Sequence, residues 1–298
     1  MPRLLGPVLP RGGGNRLSGR SAVCGWFRRS HGAAAGGQGG VVSSPLFALE
    51  NVQFARPDGR VVLAGIDFEL RPSERVALIG GNGAGKTTLL HLMVGLHRPA
   101  AGTIVAFGRE RIVEADFHEV RRRAGLLFQD SDDQLFCPTV LDDVAFGPLN
   151  LGYSRAQAHE IADATLHSLG LSGFAGRITH KLSGGEKRLV SLATVLAMQP
   201  DVLLLDEPTS GLDAAANEGL VAHLQGLPQA MVIVSHDRAL ITALATRVVV
   251  MRDGRLHKAR VHAHPHAHVH THPHLHAVTE SADEHKADDA HDILHDLT

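Results

Sequence analysis

A glycine-rich segment of the sequence has the residue types and the spacing that bind phosphate. Gly80 is followed five residues later by Gly85, and Lys86 and Thr87 come directly after it. Glycines let backbone N–H groups close around a phosphate, the lysine supplies charge for the β- and γ-phosphates, and the hydroxyl can ligate Mg²⁺. The sequence therefore predicts that this loop binds ATP. The loop positions expected to contact the nucleotide are Gly80, Asn82, Gly83, Gly85, Lys86, Thr87 and Thr88.

Two adjacent carboxylates provide a second chemical site further along the chain. Asp206 and Glu207 follow the apolar run Val202–Leu205, and such a pair can either hold a metal ion or begin a helix. The phosphate-binding loop favours the first interpretation. Asp206 is then expected to hold Mg²⁺ together with Thr87, and Glu207 to polarise the water that attacks the γ-phosphate. The predicted activity is ATP hydrolysis with Mg²⁺ as a cofactor.

The elements that must position these residues alternate between strands and helices. Arg75–Ile79 is predicted to be the strand that leads into the loop, and residues 86–94 the helix that follows it. Because this alternation favours a parallel sheet covered by helices, the sequence predicts an α/β domain with a parallel core sheet. Further strands are predicted at 47–54, 61–70, 125–128, 202–205, 231–234 and 247–251, and further helices at 155–169, 185–198, 214–225 and 237–245.

Charge divides the chain of 298 residues into three predicted regions. Residues 1–45 contain six arginines and no acid, and we expect a disordered extension there, with a wrongly chosen start codon or an organelle transit peptide as alternatives. Residues 46–261 are the predicted folded domain. Residues 262–298 carry seven acids against one lysine and form a histidine-rich tail. The overall charge of −2 gives no reason to expect a nucleic-acid partner, and no apolar run reaches the length of a membrane span.

Four further motifs stand in a fixed order along the chain relative to the loop and the acid pair, and together they carry a family resemblance. Leu182-Ser183-Gly184-Gly185-Glu186 resembles the signature of ATP-binding-cassette (ABC) ATPases, Gln129 resembles their Q-loop, Ser210–Asp213 their D-loop and His236 their switch histidine. The resemblance implies the P-loop ABC ATPase fold, with an antiparallel β subdomain and an inserted helical subdomain at about residues 130–185. It also implies a head-to-tail dimer with two ATP molecules at the interface.

In such a dimer each ATP would contact residues of both subunits. The phosphate-binding loop of one subunit would face Ser183 and Gly185 of the other, and Asp213 would also bind the nucleotide. Gln129 would take part in catalysis and in Mg²⁺ binding, and His236 would contact the γ-phosphate. The family usually stacks an aromatic ring on adenine near position 56; here the choice lies between Phe54 and the guanidinium plane of Arg56.

The segment after the Q-loop resembles one group within the ABC ATPases. Gln129–Val140, continuing through Pro148, is similar to the ATPases of energy-coupling-factor transporters, and Leu182–Met198 is most similar to their nickel and cobalt subgroup. This implies an ATPase subunit for transition-metal import, peripheral on the cytoplasmic face of the cell membrane. Its partners would be transmembrane subunits, whose coupling helix docks beside the Q-loop, and a second ATPase subunit, identical or different. A vitamin importer and a soluble ABC ATPase remain alternatives.

Histidine recurs at every second position at the start of the tail. Neutral imidazole is a good ligand for Ni²⁺, Co²⁺, Cu²⁺ and Zn²⁺, and alternate residues of an extended chain share one face. The segment therefore predicts transition-metal binding, with a soluble low-complexity tail or a metal-buffering segment as alternatives. The candidate ligands are His262, His264, His266, His268, His270, His272, His274 and His276.

Overall fold

The computed structural model describes the backbone of residues 44–265 and 271–277, and the side chains of residues 44–259. The N-terminal extension, most of the acidic tail and His266, His268 and His270 lie outside the described residues. Eleven strands and seven α-helices are described. The strands are β1 (Phe47–Ala55), β2 (Val61–Leu70), β3 (Arg75–Ile79), β4 (Ala101–Ala106), β5 (Arg109–Glu110), β6 (Ala124–Leu127), β7 (Val202–Asp206), β8 (Ala230–Val234), β9 (Arg247–Arg252), β10 (Arg255–Pro265) and β11 (Thr271–Ala277). The helices are α1 (Lys86–Met93), α2 (Phe117–Arg123), α3 (Val140–Asn150), α4 (Arg155–Ser168), α5 (Gly184–Ala197), α6 (Ala214–Gln225) and α7 (Arg238–Leu244).

The core sheet has the strand order β11-β10-β9-β3-β8-β7-β6. Strands β9, β3, β8, β7 and β6 are parallel, and their short apolar runs are buried by helices, as is usual for parallel sheets. The carboxyl ends of these strands lie at one edge, where the phosphate-binding loop, Asp206 and the start of the Q-loop meet. The predicted parallel core is confirmed, with strand bounds within about one residue of those expected.

The second sheet is antiparallel, in the order β2-β1-β4-β5. Its inner residues pack with β3, α1 and parts of the core sheet in one large apolar cluster that includes Phe47, Leu63, Ile104 and Leu89. This cluster places β2 against the phosphate-binding loop. The antiparallel β subdomain implied by the family resemblance is therefore present.

Helices α3, α4 and α5 pack around an apolar cluster of their own, which includes Val144, Ala162 and Val190. This is the helical subdomain that the resemblance implied. Helix α5 also contributes Leu192, Val195 and Leu196 to a second cluster beneath β7 and β8. One helix therefore belongs to both the helical subdomain and the sheet.

Strands β10 and β11 form an antiparallel hairpin that extends the core sheet beyond β9. The predicted domain boundary at residue 261/262 falls inside β10. Within the described part of the chain, no helix is long and apolar enough to cross a membrane.

Candidate nucleotide-binding site

Two glycines of the phosphate-binding loop lie so close to neighbouring atoms that a side chain would not fit. A Cβ atom at Gly80 would lie 2.3 Å from the carbonyl oxygen of Met251, so β9 leaves no space for a side chain there. Gly85 has φ +106°, and a Cβ atom there would lie 2.8 Å from Leu63 Cδ2. Gly85 is the N-cap of α1, and no side chain of the described residues caps this helix. The first backbone N–H groups of α1 are therefore available to an anion.

Lys86 is held inside the loop. Its side chain is buried, and Nζ donates to the carbonyl oxygens of Gly80 at 2.5 Å and Gly81 at 3.0 Å. Desolvation lowers the pKa of Lys86, and the charges of Glu207 and Asp206 oppose that shift. The two carbonyl contacts hold the ammonium group inside the loop.

Thr87 and Asp206 meet across the site at the end of β7. Thr87 Oγ1 donates to Asp206 Oδ2 at 2.6 Å. Burial raises the pKa of Asp206, while the hydrogen bond from Thr87 and the charge of Arg188 lower it. A hydroxyl and a carboxylate at hydrogen-bond distance, with the Gln129 amide on the same cavity wall, are the oxygen donors that Mg²⁺ prefers. These residues fit a Mg²⁺ ion, which when bound would neutralise charge on the β- and γ-phosphates.

Glu207 and His236 lie against each other at the ends of β7 and β8. His236 Nε2 lies 3.4 Å from Glu207 Oε1, and the His236 backbone N–H donates to Glu207 Oε2 at 3.4 Å. Burial raises the pKa of Glu207, opposed mainly by His236, which suits a carboxylate that must accept a proton from water. Among the described residues, His236 Nδ1 is buried without a hydrogen-bond partner. The pair thus offers a base and an unsatisfied ring nitrogen.

Most of the predicted nucleotide residues line a single cavity of about 180 Å³. Arg56 and Val62 form part of its wall, on the side of β2. Phe54 instead stacks on His97, with ring centroids 5.1 Å apart, and is not part of the wall. The predicted residues brought together there are Asn82, Gly83, Gly85, Lys86, Thr87, Thr88, Gln129, Asp206, Glu207 and His236.

Four predicted nucleotide residues do not line this cavity: Gly80, which is buried against β9, and three residues at helix starts. Ser183 caps α5 and accepts from the Glu186 backbone N–H at 3.4 Å. Asp213 caps α6 and accepts from the Ala216 backbone N–H at 2.8 Å. Gly185 packs against the D-loop, where a Cβ atom would lie 3.0 Å from the Gly211 carbonyl oxygen. These residues do not contribute to the cavity wall of their own subunit.

The sequence interpretation missed Arg188, the buried residue that joins two parts of the site. Its guanidinium donates to the carbonyl oxygens of Phe128 and Gln129 at the end of β6, and of Asp206, Glu207 and Pro208 at the end of β7. Desolvation lowers the pKa of Arg188 to about 10, against the attraction of Asp206 and Glu207. The residue remains charged and fixes the backbone of the Q-loop relative to the acid pair. The one sequence signal was an arginine shortly after the signature motif.

Gln134 was also missed, and it ties the Q-loop to α5. Its side-chain oxygen accepts from the Phe128 backbone N–H at 3.2 Å, while Nε2 donates to Ser191 O at 2.8 Å and Thr194 Oγ1 at 2.7 Å. The Q-loop is therefore attached to the signature helix at two points, Arg188 and Gln134.

Comparisons with known proteins agree with this geometry. The ABC transporter family pattern matches residues 63–210. A putative ABC transporter ATP-binding protein of Brucella suis biovar 1 is 57% identical over 220 residues, which cover 74% of this chain and 91% of the relative. The cobalt import ATP-binding protein CbiO of Rhodobacter capsulatus is 45% identical over 220 residues, 72% of this chain and 78% of the relative. The solved structure of cbiO1 from Clostridium perfringens, part of the ABC transporter complex cbiONQ, superposes with a TM-score of 0.64 at 32% identity, covering 71% of this chain and 86% of that one.

A solved bacterial ABC transporter cassette is dimeric, and cbiO1 is part of an ABC transporter complex. Residues of the loop, the acid pair and His236 line one cavity, and the sequence identity extends well beyond these motifs. The chain belongs to the ATP-binding subunits of ABC transporters, ATPases that couple hydrolysis to transport.

Proposed function

We propose that this chain powers the import of nickel or cobalt ions through transmembrane partner subunits, from the cytoplasmic face of the cell membrane. The observation that carries the transport role is an exposed apolar groove directly behind the Q-loop. Two further observations support the metal class: the 45% identity to a cobalt import ATPase and the histidine-rich segment from His262 onward.

The groove has the composition of a docking surface for an apolar helix. It encloses about 290 Å³ and is lined by Leu126, Phe128, Gly147 and Met198, among others. Phe136 and Phe146 stand at its rim, 66% and 44% exposed, with ring centroids 4.8 Å apart at 90°. Aromatic side chains exposed around an apolar groove are typical of protein–protein interfaces. We assign this groove to the membrane partner.

The groove and the nucleotide cavity share a wall, so a partner bound in the groove would respond to changes in the nucleotide site. Phe128 lines the groove, and the next residue, Gln129, lines the nucleotide cavity. Arg188 holds both carbonyl oxygens, and Gln134 holds the Phe128 N–H. A shift of Gln129 on nucleotide binding would therefore move the floor of the groove through direct bonds.

The nucleotide site is proposed to be completed by a second ATPase subunit. Ser183 is exposed at the start of α5, outside the cavity of its own chain. Its hydroxyl accepts from Glu186 N–H and can still donate its own hydrogen to a phosphate across an interface, beside the N–H groups of the first turn of α5. Gly185 and Asp213 lie at the same surface. This geometry is the same whether the second subunit is another copy of this chain or a different ATPase.

Hydrolysis requires that a water molecule lose a proton as it attacks the γ-phosphate. Glu207 accepts that proton, and its raised pKa makes it a stronger base than an ordinary glutamate. His236 holds the carboxylate and presents Nδ1 to the transferred phosphate. Lys86 balances charge on the phosphates from the loop side. Arg56, on the wall next to Val62, is the proposed adenine-stacking group.

The proposal is tested by uptake into vesicles that contain the reconstituted transporter, with ⁶³Ni²⁺ and Co²⁺ in competition and a radiolabelled vitamin as comparison. We expect ATP-dependent metal uptake that the Glu207→Gln variant abolishes. Vitamin uptake without metal uptake would overturn the metal class and leave the ATPase role intact. ATP hydrolysis that supports no uptake of either would overturn the transport role proposed here.

A further inference from the structure

The histidine-rich segment is folded back on itself in the hairpin of β10 and β11. The register places His262 opposite His274 and His264 opposite His272, in a ladder that runs without a shift from Ala259↔Ala277 to Pro265↔Thr271. Histidine stands at every second position on each strand, and the register therefore pairs histidine with histidine across the hairpin. The four histidines form two cross-strand pairs, which are separated by the single pair Ala263↔Pro273.

Strand geometry puts these four positions on one face of the hairpin. Residues two apart on a strand share a face at a spacing of about 6.6 Å, and directly opposite residues of an antiparallel pair have Cβ atoms about 4.5–5.5 Å apart. His276, opposite Arg260, continues the same row. We call the positions His262, His264, His272 and His274 the histidine ladder.

We propose that the histidine ladder is a binding site for divalent transition-metal ions of the Ni²⁺, Cu²⁺ and Zn²⁺ class. Each cross-strand pair offers two imidazoles, which are preferred ligands of these ions, at positions that the hairpin brings together in advance. Preorganised ligands bind more tightly than the same ligands on a flexible chain, because the second contact is intramolecular. Among the side chains that the structure describes, no group of three or more His, Cys, Asp and Glu is arranged for a metal ion.

A bound ion would also tie β11 to β10 at the end of the core sheet. β10 pairs with β9, and β9 pairs with β3, the strand that leads into the phosphate-binding loop. A metal ion that binds the paired hairpin and not the opened one must stabilise the pairing. The inference does not rest on the proposed function, because metal binding by the isolated chain involves no transport.

The first measurement is a calorimetric titration of the full chain with Ni²⁺ alone. The decisive variants exchange neighbouring residues and keep the composition constant. In the background variant, the five histidines from 264 to 272 are replaced by Asn, which leaves the cross-strand pair His262↔His274. The exchange H274L with L275H then moves one histidine of this pair to a position on the other face of the hairpin. Adding V261H with H262V moves its partner as well, and because Val261 lies opposite Leu275, the cross-strand pair is restored.

We expect the single exchange to weaken Ni²⁺ binding by about tenfold or more, and the double exchange to restore the affinity to within about threefold. His257→Ala is the matched control: His257 is exposed on the same strand, opposite Val250, and its loss should leave the affinity unchanged. Hydrogen exchange should show that Ni²⁺ protects the backbone amides of β10 and β11. Equal affinities in all exchange variants, or a double exchange as weak as the single one, would overturn the ladder.

Discussion

Substitution of Arg188 by lysine isolates what this buried guanidinium does for the site. Arg188 is 2% exposed and donates to five backbone carbonyl oxygens, two at the end of β6 and three at the end of β7. Lysine keeps the positive charge but has three donors on a single nitrogen. At least two of the five carbonyl oxygens must therefore lose their partner, and one nitrogen cannot span both loops as the planar guanidinium does.

The size of the effect follows from these lost bonds. A hydrogen bond to a charged group contributes about 1.5–3 kcal/mol, so two lost bonds lower the free energy of unfolding by about 3–6 kcal/mol. Native proteins have free energies of unfolding of about 5–15 kcal/mol, and Arg188→Lys should therefore fold but unfold at clearly lower urea concentration. The loosened backbone of Glu207 and Gln129 should reduce kcat by about tenfold or more, with KM for ATP within about threefold because Lys86 and Thr87 are untouched.

The assay combines urea denaturation of the full chain with steady-state ATP hydrolysis. Arg71→Lys is the matched control, since Arg71 pairs with Glu69 on the surface, with side chains 45% and 54% exposed, where such a pair contributes under about 1 kcal/mol. A change in unfolding free energy no larger than that of the control, together with normal kcat, would refute the assignment of Arg188 as the link between the two loops.

Three further predictions address the cavity and the groove. Lys86→Ala should weaken ATP binding by about 10- to 100-fold through lost charge-assisted bonds, and normal affinity in a fluorescent-nucleotide titration would contradict the loop assignment. Glu207→Gln should bind ATP normally, form a stable dimer on size exclusion and lose about 10²-fold or more of its hydrolysis. Glu207 acts in its deprotonated form, and burial raises its pKa. As the pH is lowered, the wild-type rate of hydrolysis should therefore begin to fall above the pH range in which an ordinary glutamate titrates. Unchanged turnover in Glu207→Gln would exclude the role of Glu207 as the base. Phe136→Asp should prevent co-purification with the membrane subunits while the isolated chain hydrolyses ATP normally; Ile112→Asp, equally exposed at 67% but outside the groove, should assemble normally.

The five parallel strands of the core sheet could be predicted because they are short, mostly apolar runs. Val202–Leu205, for example, is a continuous apolar run, which is the pattern typical of a strand buried on both faces of a parallel sheet. β4 was not predicted, because Ala101–Ala106 contains Gly102 and acquires its strand conformation by pairing with β1, about fifty residues earlier in the chain. α2 was not predicted either, since Phe117 and Val120 are its only buried residues, too few to show a helical period.

The nucleotide residues could be predicted because their spacing reflects local backbone geometry: a loop before a helix, or an acid at a strand end. Arg188 could not, since its neighbour Lys187 is also charged and a pair of cations on a helix usually faces solvent. Its burial is decided by the approach of the ends of β6 and β7, which are 75 residues or more apart in sequence. The ladder register likewise depends on where the hairpin turns, and the histidine period alone does not specify this.

Helix α5 explains how one change at the nucleotide can reach both the dimer interface and the membrane partner. Its 14 residues span about 21 Å, with Ser183 at the start, Arg188 one turn further on and Thr194 beside the groove. The helix packs into the core sheet on one side and into the helical subdomain on the other. A packed helix moves as a rigid body, so displacement of Gln129 that pulls on Arg188 must also shift the signature end and the groove end. The coupling therefore needs no flexible relay. It should be weakened when Arg188 is changed, because Gln134 is then the remaining attachment of the Q-loop to α5.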